Sequence, residues 1–188
     1  LNIELELITG CLNKERKAQY DLYKKTYGFL MAICRRYANS SYEADDLLNI
    51  GFLKILNNLD KYQPKIPFGI WIRKVMINTI IDEFRKNISH KEKISYVEEH
   101  FDSNIQIDLN EALSSLNMEE IQTCIDQLPP VSKKVFNLFI IDGYSHKEIA
   151  DLLNISEGTS KWHVNFSRIK LQELITTLFN IPQINLIK

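Results

Sequence analysis

The sequence predicts an all-α protein built from two small helical domains joined by an acidic linker. Three observations carry this. Glycine and proline are sparse, at 6 and 5 of 188 residues; apolar residues recur at spacings of three and four; and strand-like alternation is nearly absent. Start and stop signals then divide the chain. A first helix is expected over 14–38 and a second over 42–60, the latter opened by Ser40 and Glu43 at capping-box spacing. QPKIP at 63–67 ends it, because Pro64 and Pro67 lack backbone donors and bias the residues before them away from helix. A third helix follows over 68–87. The stretch KNISHKEKISYVEEHFDSNIQIDLNEALSSL has no sustained apolar face, so 88–116 reads as a linker.

The C-terminal part continues with a helix over 117–127, opened by Asn117 with Glu120 and closed at Leu128-Pro129-Pro130. Helices over 131–141, 145–153 and 157–177 follow, separated by Asp142-Gly143 and by a short break at Asn154. Ser145 with Glu148 is a second capping-box pair, and Ser156 is an N-cap. The domains are therefore 14–87 and 117–177, with 178–188 left as an unassigned tail.

Composition excludes several classes of function. No run reaches the roughly 18 apolar residues of a bilayer span, and LNIELELITG lacks the basic start and cleavage site of a signal peptide. A soluble, cytoplasmic protein is expected. Cys11, Cys34 and Cys124 are odd in number, far apart and set among apolar neighbours, so they read as reduced core thiols rather than a disulfide frame or a metal knuckle. The net charge of -1 hides a segregation: residues 94–130 carry 8 acidic and no basic side chains, while 60–93 carry 8 basic and 4 acidic. Partners respond to such local fields rather than to the sum.

Two constellations carry chemistry. In GYSHKEIADLLNISEGTSKWHVNFSRIKL at 143–171, Ile149, Ala150 and Leu153 share one face of a first helix. Ile155 fills the corner, and Val164, Leu171 and Leu174 form the buried stripe of a second. This spacing is that of a helix-turn-helix, whose second helix enters a major groove. Lys161, Trp162, Asn165 and Arg168 then fall on or beside the outward face, supplying cations for phosphates and an amide for a base edge; the helix start at 156–159 offers backbone donors. Asn154 stands where glycine is common, and asparagine is the non-glycine residue best suited to a left-handed turn.

In the N-terminal part, Leu47, Leu48, Phe52, Leu53, Ile55 and Leu56 are expected to supply a buried face, leaving Asp45, Asp46, Asn49 and Lys54 outside. The paired aspartates have no His or Cys within helical reach and so read as a solvated or partner-facing patch, not a metal site. The proline-pinned loop leads into Phe68, Trp71, Arg73, Lys74, Asn78, Arg85 and Lys86. Rings interleaved with cations suit single-stranded nucleic acid, although Phe68 and Trp71, three apart, can both turn inward.

Together these pieces resemble the two conserved domains of bacterial RNA polymerase sigma factors of the sigma-70 family, in the short extracytoplasmic-function group. The N-terminal pieces are Asp45-Asp46-Leu47, Phe52-Leu53, Phe68-Gly69-Ile70-Trp71 and Asn78-Thr79-Ile80-Ile81-Asp82-Glu83-Phe84-Arg85. The C-terminal pieces are Leu128-Pro129, the GYSHKEIA segment, and Ser156-Glu157-Gly158-Thr159-Ser160-Lys161. The resemblance implies a region 2 type domain of three helices and a region 4 type helix-turn-helix. It implies that the protein binds core RNA polymerase and directs initiation at promoter DNA, with no catalytic residue, no metal and no cofactor.

By the same resemblance, Asp45, Asp46, Leu47, Asn49, Phe52 and Leu53 dock on the polymerase clamp. Tyr62, Gln63, Lys65, Phe68, Trp71, Arg73, Lys74, Asn78, Asp82, Arg85 and Lys86 recognise and open the minus-ten element. Lys147, Ser156, Glu157, Thr159, Lys161, Trp162, Asn165 and Arg168 read the minus-thirty-five element. The acidic linker runs through the polymerase's RNA path, and factors of this group are commonly held by an anti-sigma partner. Departures from the family pattern are Asn49 and Ile50 where many members carry a glutamine and an acidic residue, Ser160 in place of an apolar residue, and His163, Asn165 and Phe166 at positions often basic. The second helix is thus poor in cations, and weak binding to free DNA is expected.

Two other readings remain open in the sequence. A stand-alone helix-turn-helix regulator needs only the C-terminal constellation. An enzyme needs Glu98, Glu99, His100 and Asp102 to act as a metal or acid-base cluster, in a segment with nothing to fix their geometry.

Overall fold

A computed structural model describes residues 3–88 and 118–179, and every regular element among them is helical. The chain divides into two compact units, residues 1–94 and 95–188. The first holds α1 (Leu5–Leu12), α2 (Arg16–Tyr37), α3 (Ser41–Asn57) and α4 (Phe68–Ile88), with a 3-10 turn over Leu59–Lys61. The second holds α5 (Met118–Asp126), α6 (Pro130–Phe136), a π turn over Asn137–Ile141, α7 (His146–Leu153) and α8 (Glu157–Phe179).

In the first unit α2, α3 and α4 pack against one another and α1 lies on α2. The core is aliphatic. Leu22, Leu30, Ile33, Leu48, Ile55, Ile72, Met76, Ile77, Ile80 and Ile81 are buried around Cys34 and Tyr37. Because α4 buries residues on most of its circumference, it is the central element. Gly51 lets α3 approach it: a Cβ at that position would overlap the Met76 thioether, which is itself fully buried. The Ser40 hydroxyl accepts the Glu43 amide at 3.2 Å. The Glu43 carboxylate reaches one residue past the cap, accepting from Asn39 N at 2.6 Å and Asn39 Nδ2 at 3.0 Å.

In the second unit, Cys124, Ile125, Leu128, Phe136, Leu171 and Ile175 form the buried cluster that ties α5 and α6 to the C-terminal half of α8. Pro130 starts α6 at its first position, where its missing donor costs nothing. Ser145 and Glu148 form a complete capping box at the start of α7, and Asn154 ends that helix in the left-handed conformation at φ 54°, ψ 49°. Ser156 Oγ accepts the Thr159 amide at 2.9 Å and so caps α8.

Three expectations need correction. The segment left without a helix at the start contains α1, which is short and has exposed leucines at both ends, Leu5 and Leu12. The expected helix over 131–141 opens into a π turn after Phe136. Leu53, expected in the core, is 59% exposed, while Leu47, Leu48 and Ile55 are buried. All three cysteines are buried and free. The Asn117 cap, the acidic linker, the Glu98, Glu99, His100 and Asp102 cluster and the terminal residues 180–188 lie outside the described residues.

Candidate functional site

Three surfaces carry the residues singled out above. On α3, the stripe Ala44, Leu47, Leu48, Gly51 and Ile55 faces the core, so the opposite side is presented outward. That side holds Asp45, Asp46 and Asn49 together with three exposed apolar side chains, Tyr42, Ile50 and Leu53. Leu47 is buried and supports this face from beneath. Phe52 is half-buried, edge-on to the Tyr23 ring at 5.0 Å. Burial raises the Tyr23 phenol above its ordinary range, with Tyr27 and then Asp45 adding to the effect. An acidic surface studded with apolar groups suits a partner helix that offers both cations and aliphatic side chains.

The second surface is an open cleft of about 270 Å³ beside α4, lined by Lys54, Asn58, Lys61, Trp71, Val75, Asn78, Thr79 and Asp82. Its one aromatic lining residue is Trp71, which belongs to a cluster beside the cleft, the Tyr62 ring lying 5.1 Å from Phe68 and 5.4 Å from Trp71. The Tyr62 hydroxyl donates to Ile66 O at 2.9 Å and pins the proline-containing loop. The polar wall is preset by hydrogen bonds. Lys54 Nζ meets Asp82 Oδ2 at 3.1 Å, and Lys61 Nζ donates to Asn58 Oδ1 at 2.7 Å. The cleft thus offers a ring face, two cations, two amides and a carboxylate, a set of donors and acceptors matched to a base edge.

At about 100° per residue, Trp71, Lys74, Asn78, Asp82 and Arg85 share one stripe of α4 roughly 21 Å long. Trp71 is half-buried, and Lys74, Asp82 and Arg85 are exposed. Gln63 and Lys65 are exposed on the preceding loop, whereas Phe68 is buried under it. Arg73 leaves α4 on the other side, its guanidinium over the Phe29 ring at 5.6 Å. Lys86 is paired with Glu83 at 2.6 Å, and that hydrogen bond raises its ammonium pKa. Sequence reasoning did not single out Asn58, Lys61 or Thr79 for this surface; the only signal was their position at the end of α3 and one turn along α4.

The third surface is the α7 and α8 pair. Ser160, His163, Val164, Ser167, Leu171 and Ile175 form the buried stripe of α8. Lys161 and Arg168 are exposed, and Trp162, Asn165, Phe166 and Ile169 are half-buried on the side turned away from that stripe. Lys147 of α7 and Glu157 are exposed; Thr159 is half-buried, its hydroxyl 2.8 Å from Ser156 Oγ.

Two serine-histidine pairs position α8. Ser160 Oγ and His146 Nδ1 are hydrogen-bonded at 2.9 Å across to α7, and the His146 ring stacks on Phe139 at 4.2 Å. Ser132 Oγ and His163 Nδ1 are hydrogen-bonded at 2.9 Å across to α6, and Ser167 Oγ donates to Ser132 O at 3.4 Å. Burial pushes the His163 imidazole down to about 4 and, with Lys161 nearby, lowers His146 as well. His163 therefore belongs to the core rather than to the outward face, and Ser160 has a partner that explains its polarity. Sequence spacing missed this network because Ser132 and His163 stand far apart in the chain.

Among the described residues no group of three or more His, Cys, Asp or Glu side chains converges as a metal site, and no helix is long and apolar enough to cross a membrane.

Comparison with known proteins identifies the two units separately. The profile of sigma-70 region 2 matches residues 22–88, and that of sigma-70, region 4 matches residues 118–171. The chain is similar to the ECF RNA polymerase sigma factor EcfG of Rhodopseudomonas palustris (24% identical, 78% of each chain). It is also similar to the ECF RNA polymerase sigma factor SigW of Bacillus subtilis (26% identical, 84% of this chain and 87% of that one). RNA polymerase sigma factor SigZ of Bacillus subtilis is 27% identical over 82% of this chain and 85% of that one. In fold it is similar to the sigma factor RpoE of Bartonella quintana, solved with the anti-sigma factor NepR, at a TM-score of 0.51 and 19% identity over 83% of this chain and 97% of that one.

Proposed function

Because the chain belongs to the sigma-70 family of RNA polymerase sigma factors, in its extracytoplasmic-function group, we propose an assignment of its three surfaces to the steps of initiation. The protein directs promoter-specific transcription initiation with core RNA polymerase. The outward face of α3, with Asp45, Asp46, Asn49, Phe52 and Leu53 over buried Leu47, docks the core enzyme. The cleft and the Trp71 to Arg85 stripe of α4 take the minus-ten element, and α8 reads the minus-thirty-five element. The domain limits expected from sequence, 14–87 and 117–177, fit this division of labour.

The observation that best supports the reading is the pairing of a region 2 match and a region 4 match, in that order, with two separately packed helical units. The chemistry agrees with it. A stacked base cannot offer its full edge until it leaves the helix. A ring such as Trp71 gives an extruded base a surface worth about 1–3 kcal/mol, and Lys54 and Lys61 can meet the phosphates beside it. The exposed α3 face is acidic where the α4 side is basic, so one unit can hold protein and DNA on different sides. A stand-alone regulator would leave the first unit without a role. No step of the proposal is catalytic, and a cytoplasmic setting follows from the partners. An anti-sigma protein, of the kind bound by the Bartonella relative, is proposed as a partner on the same footing.

The test is run-off transcription with core polymerase and fragments of the source genome. Transcripts from a defined subset of promoters are expected, and failure to bind core enzyme at low salt would sink the assignment. Trp71→Ala and Asn78→Ala should each impair promoter opening more than core binding; equal loss of both would make these residues structural only.

A further inference from the structure

The two cations of the cleft beside α4 are held in different ways. Lys54 Nζ meets Asp82 Oδ2 at 3.1 Å, so its charge is shared with a carboxylate. Lys61 Nζ donates at 2.7 Å to Asn58 Oδ1, a neutral acceptor, and among the described residues Lys61 forms no ion pair. The same Asn58 amide donates from Nδ2 to Lys54 O at 2.8 Å, in the last turn of α3. That second bond fixes which end of the amide carries the oxygen, and so turns the acceptor toward Lys61. Both ends of Asn58 are engaged, and the side chain frames the cleft rather than reading what enters it.

The backbone beneath Lys61 is already fixed. Leu59 is 2% exposed, α1 lies against the 3-10 turn over Leu59–Lys61, and the Lys61 and Tyr62 amides donate to Asn58 O at 2.9 Å and Leu59 O at 3.2 Å. What remains free is the lysine side chain, whose rotamer entropy is among the largest of any residue. A bond to a neutral amide removes that freedom and keeps the charge, whereas a bond to a carboxylate would remove both. Resting on the reading of this cleft as the seat of the minus-ten strand, we infer that Asn58 is a positioning residue, which holds the Lys61 ammonium ready for a phosphate of that strand. Lys61 is exposed and lines the cleft together with Trp71. A ring for the base and a cation for the backbone are the two parts of a single-strand site.

The experiment measures binding of the complete holoenzyme to a promoter fragment whose minus-ten segment is already unpaired, over a series of salt concentrations. Each phosphate met on a single strand contributes about 0.7 to the slope of log affinity against log salt. Lys61→Met changes an exposed side chain, which leaves the fold intact, and should flatten the slope by about that amount. Asn58→Asp should flatten it likewise with the lysine still present, because the cation is then held by a carboxylate. Asn58→Ala should weaken binding roughly two- to tenfold, and adding it to Lys61→Met should weaken binding no further. An asparagine that serves only the end of α3 would act additively with Lys61→Met and would leave the native slope in Asn58→Asp. Either result overturns the inference, as does a native slope in Lys61→Met; with normal initiation by the native protein, the family reading stands in each case. Failure of the native holoenzyme to bind the fragment or to initiate overturns both.

Discussion

The two helices that face DNA in this reading are held in place by opposite kinds of interior. In the first unit α4 is gripped by Ile72, Met76, Ile77, Ile80 and Ile81, aliphatic groups that are at most 2% exposed. In the second unit α8 is gripped by Leu171 and Ile175 at one end, but along its reading half by Ser160, His163 and Ser167, which bond to His146 and Ser132. Aliphatic packing is indifferent to pH and tolerates small shifts. A buried hydrogen-bonded network fixes one orientation and depends on each partner keeping its protonation state. Under the proposed assignment, the unit that would capture an extruded base has the aliphatic core, and the unit that would set a helix into a groove has the hydrogen-bonded one.

The strongest way to break the comparison is to damage the aliphatic grip. Ile77→Ala removes a fully buried side chain and should cost about 2–5 kcal/mol. Hydrogen exchange resolved by peptide should show this loss in residues 3–88 while α5 to α8 keep their protection. A loss shared equally by both units would mean they do not unfold independently.

Acid should produce the reverse pattern. His163 is buried and neutral, with its pKa depressed from the ordinary 6.5 to about 4. Its contribution is fully present above pH 6.5 and is lost as pH falls from there toward 4, on the order of 2–3 kcal/mol in all. No histidine lies among the described residues of the first unit. Exchange protection of α8 should therefore fall across that window before that of α4, and His163→Gln should flatten the slope.

Capping provides a finer comparison. Ser145→Ala removes the hydroxyl half of the α7 capping box, two bonds shared with Glu148, and Ser40→Ala removes a single cap bond from α3. Each should cost about 1 kcal/mol, with Ser145→Ala the larger in chemical denaturation and confined to the second unit. The smallest effect is expected at the cleft. The Lys54 and Asp82 pair is 38% and 51% exposed, so Lys54→Met should change stability by less than about 1 kcal/mol while slowing promoter opening. A large stability loss would mean that the pair is structural.

Much of this was legible in the sequence wherever the signal is local. Prolines marked the loop before α4 and the start of α6, Ser145 and Glu148 marked α7, and Asn154 announced its left-handed turn. Trp71, Lys74, Asn78 and Arg85 stood out by residue type and Asp82 through the family resemblance, but that these five share one stripe, with Arg73 and Phe68 off it, is seen only in the structure. What stayed hidden depends on distant or opposing choices. α1 has apolar residues on both sides and no side-chain bond at its N-cap, Glu4, so its spacing points nowhere. Leu53 looks like core by composition and stands in solvent. Lys133 and Lys134 look like solvent residues and are 2% and 3% exposed, with Lys133 2.7 Å from Asp126. The Asn58 and Lys61 side of the cleft was invisible because it forms only where the end of α3 folds back along α4.

The π turn over Asn137–Ile141 bears on how this fold can vary. Its wide closure, with the Asp142 amide donating to Asn137 O at 3.0 Å, accommodates one residue more than a regular helix would. Each residue carries about 100° of rotation, so the turn sets the phase at which Phe139 arrives under the His146 ring. Length, more than composition, is the quantity under constraint there: conservative swaps among Leu138, Ile140 and Ile141 preserve the phase, and a single deletion would put a different side chain beneath the histidine that steadies α8.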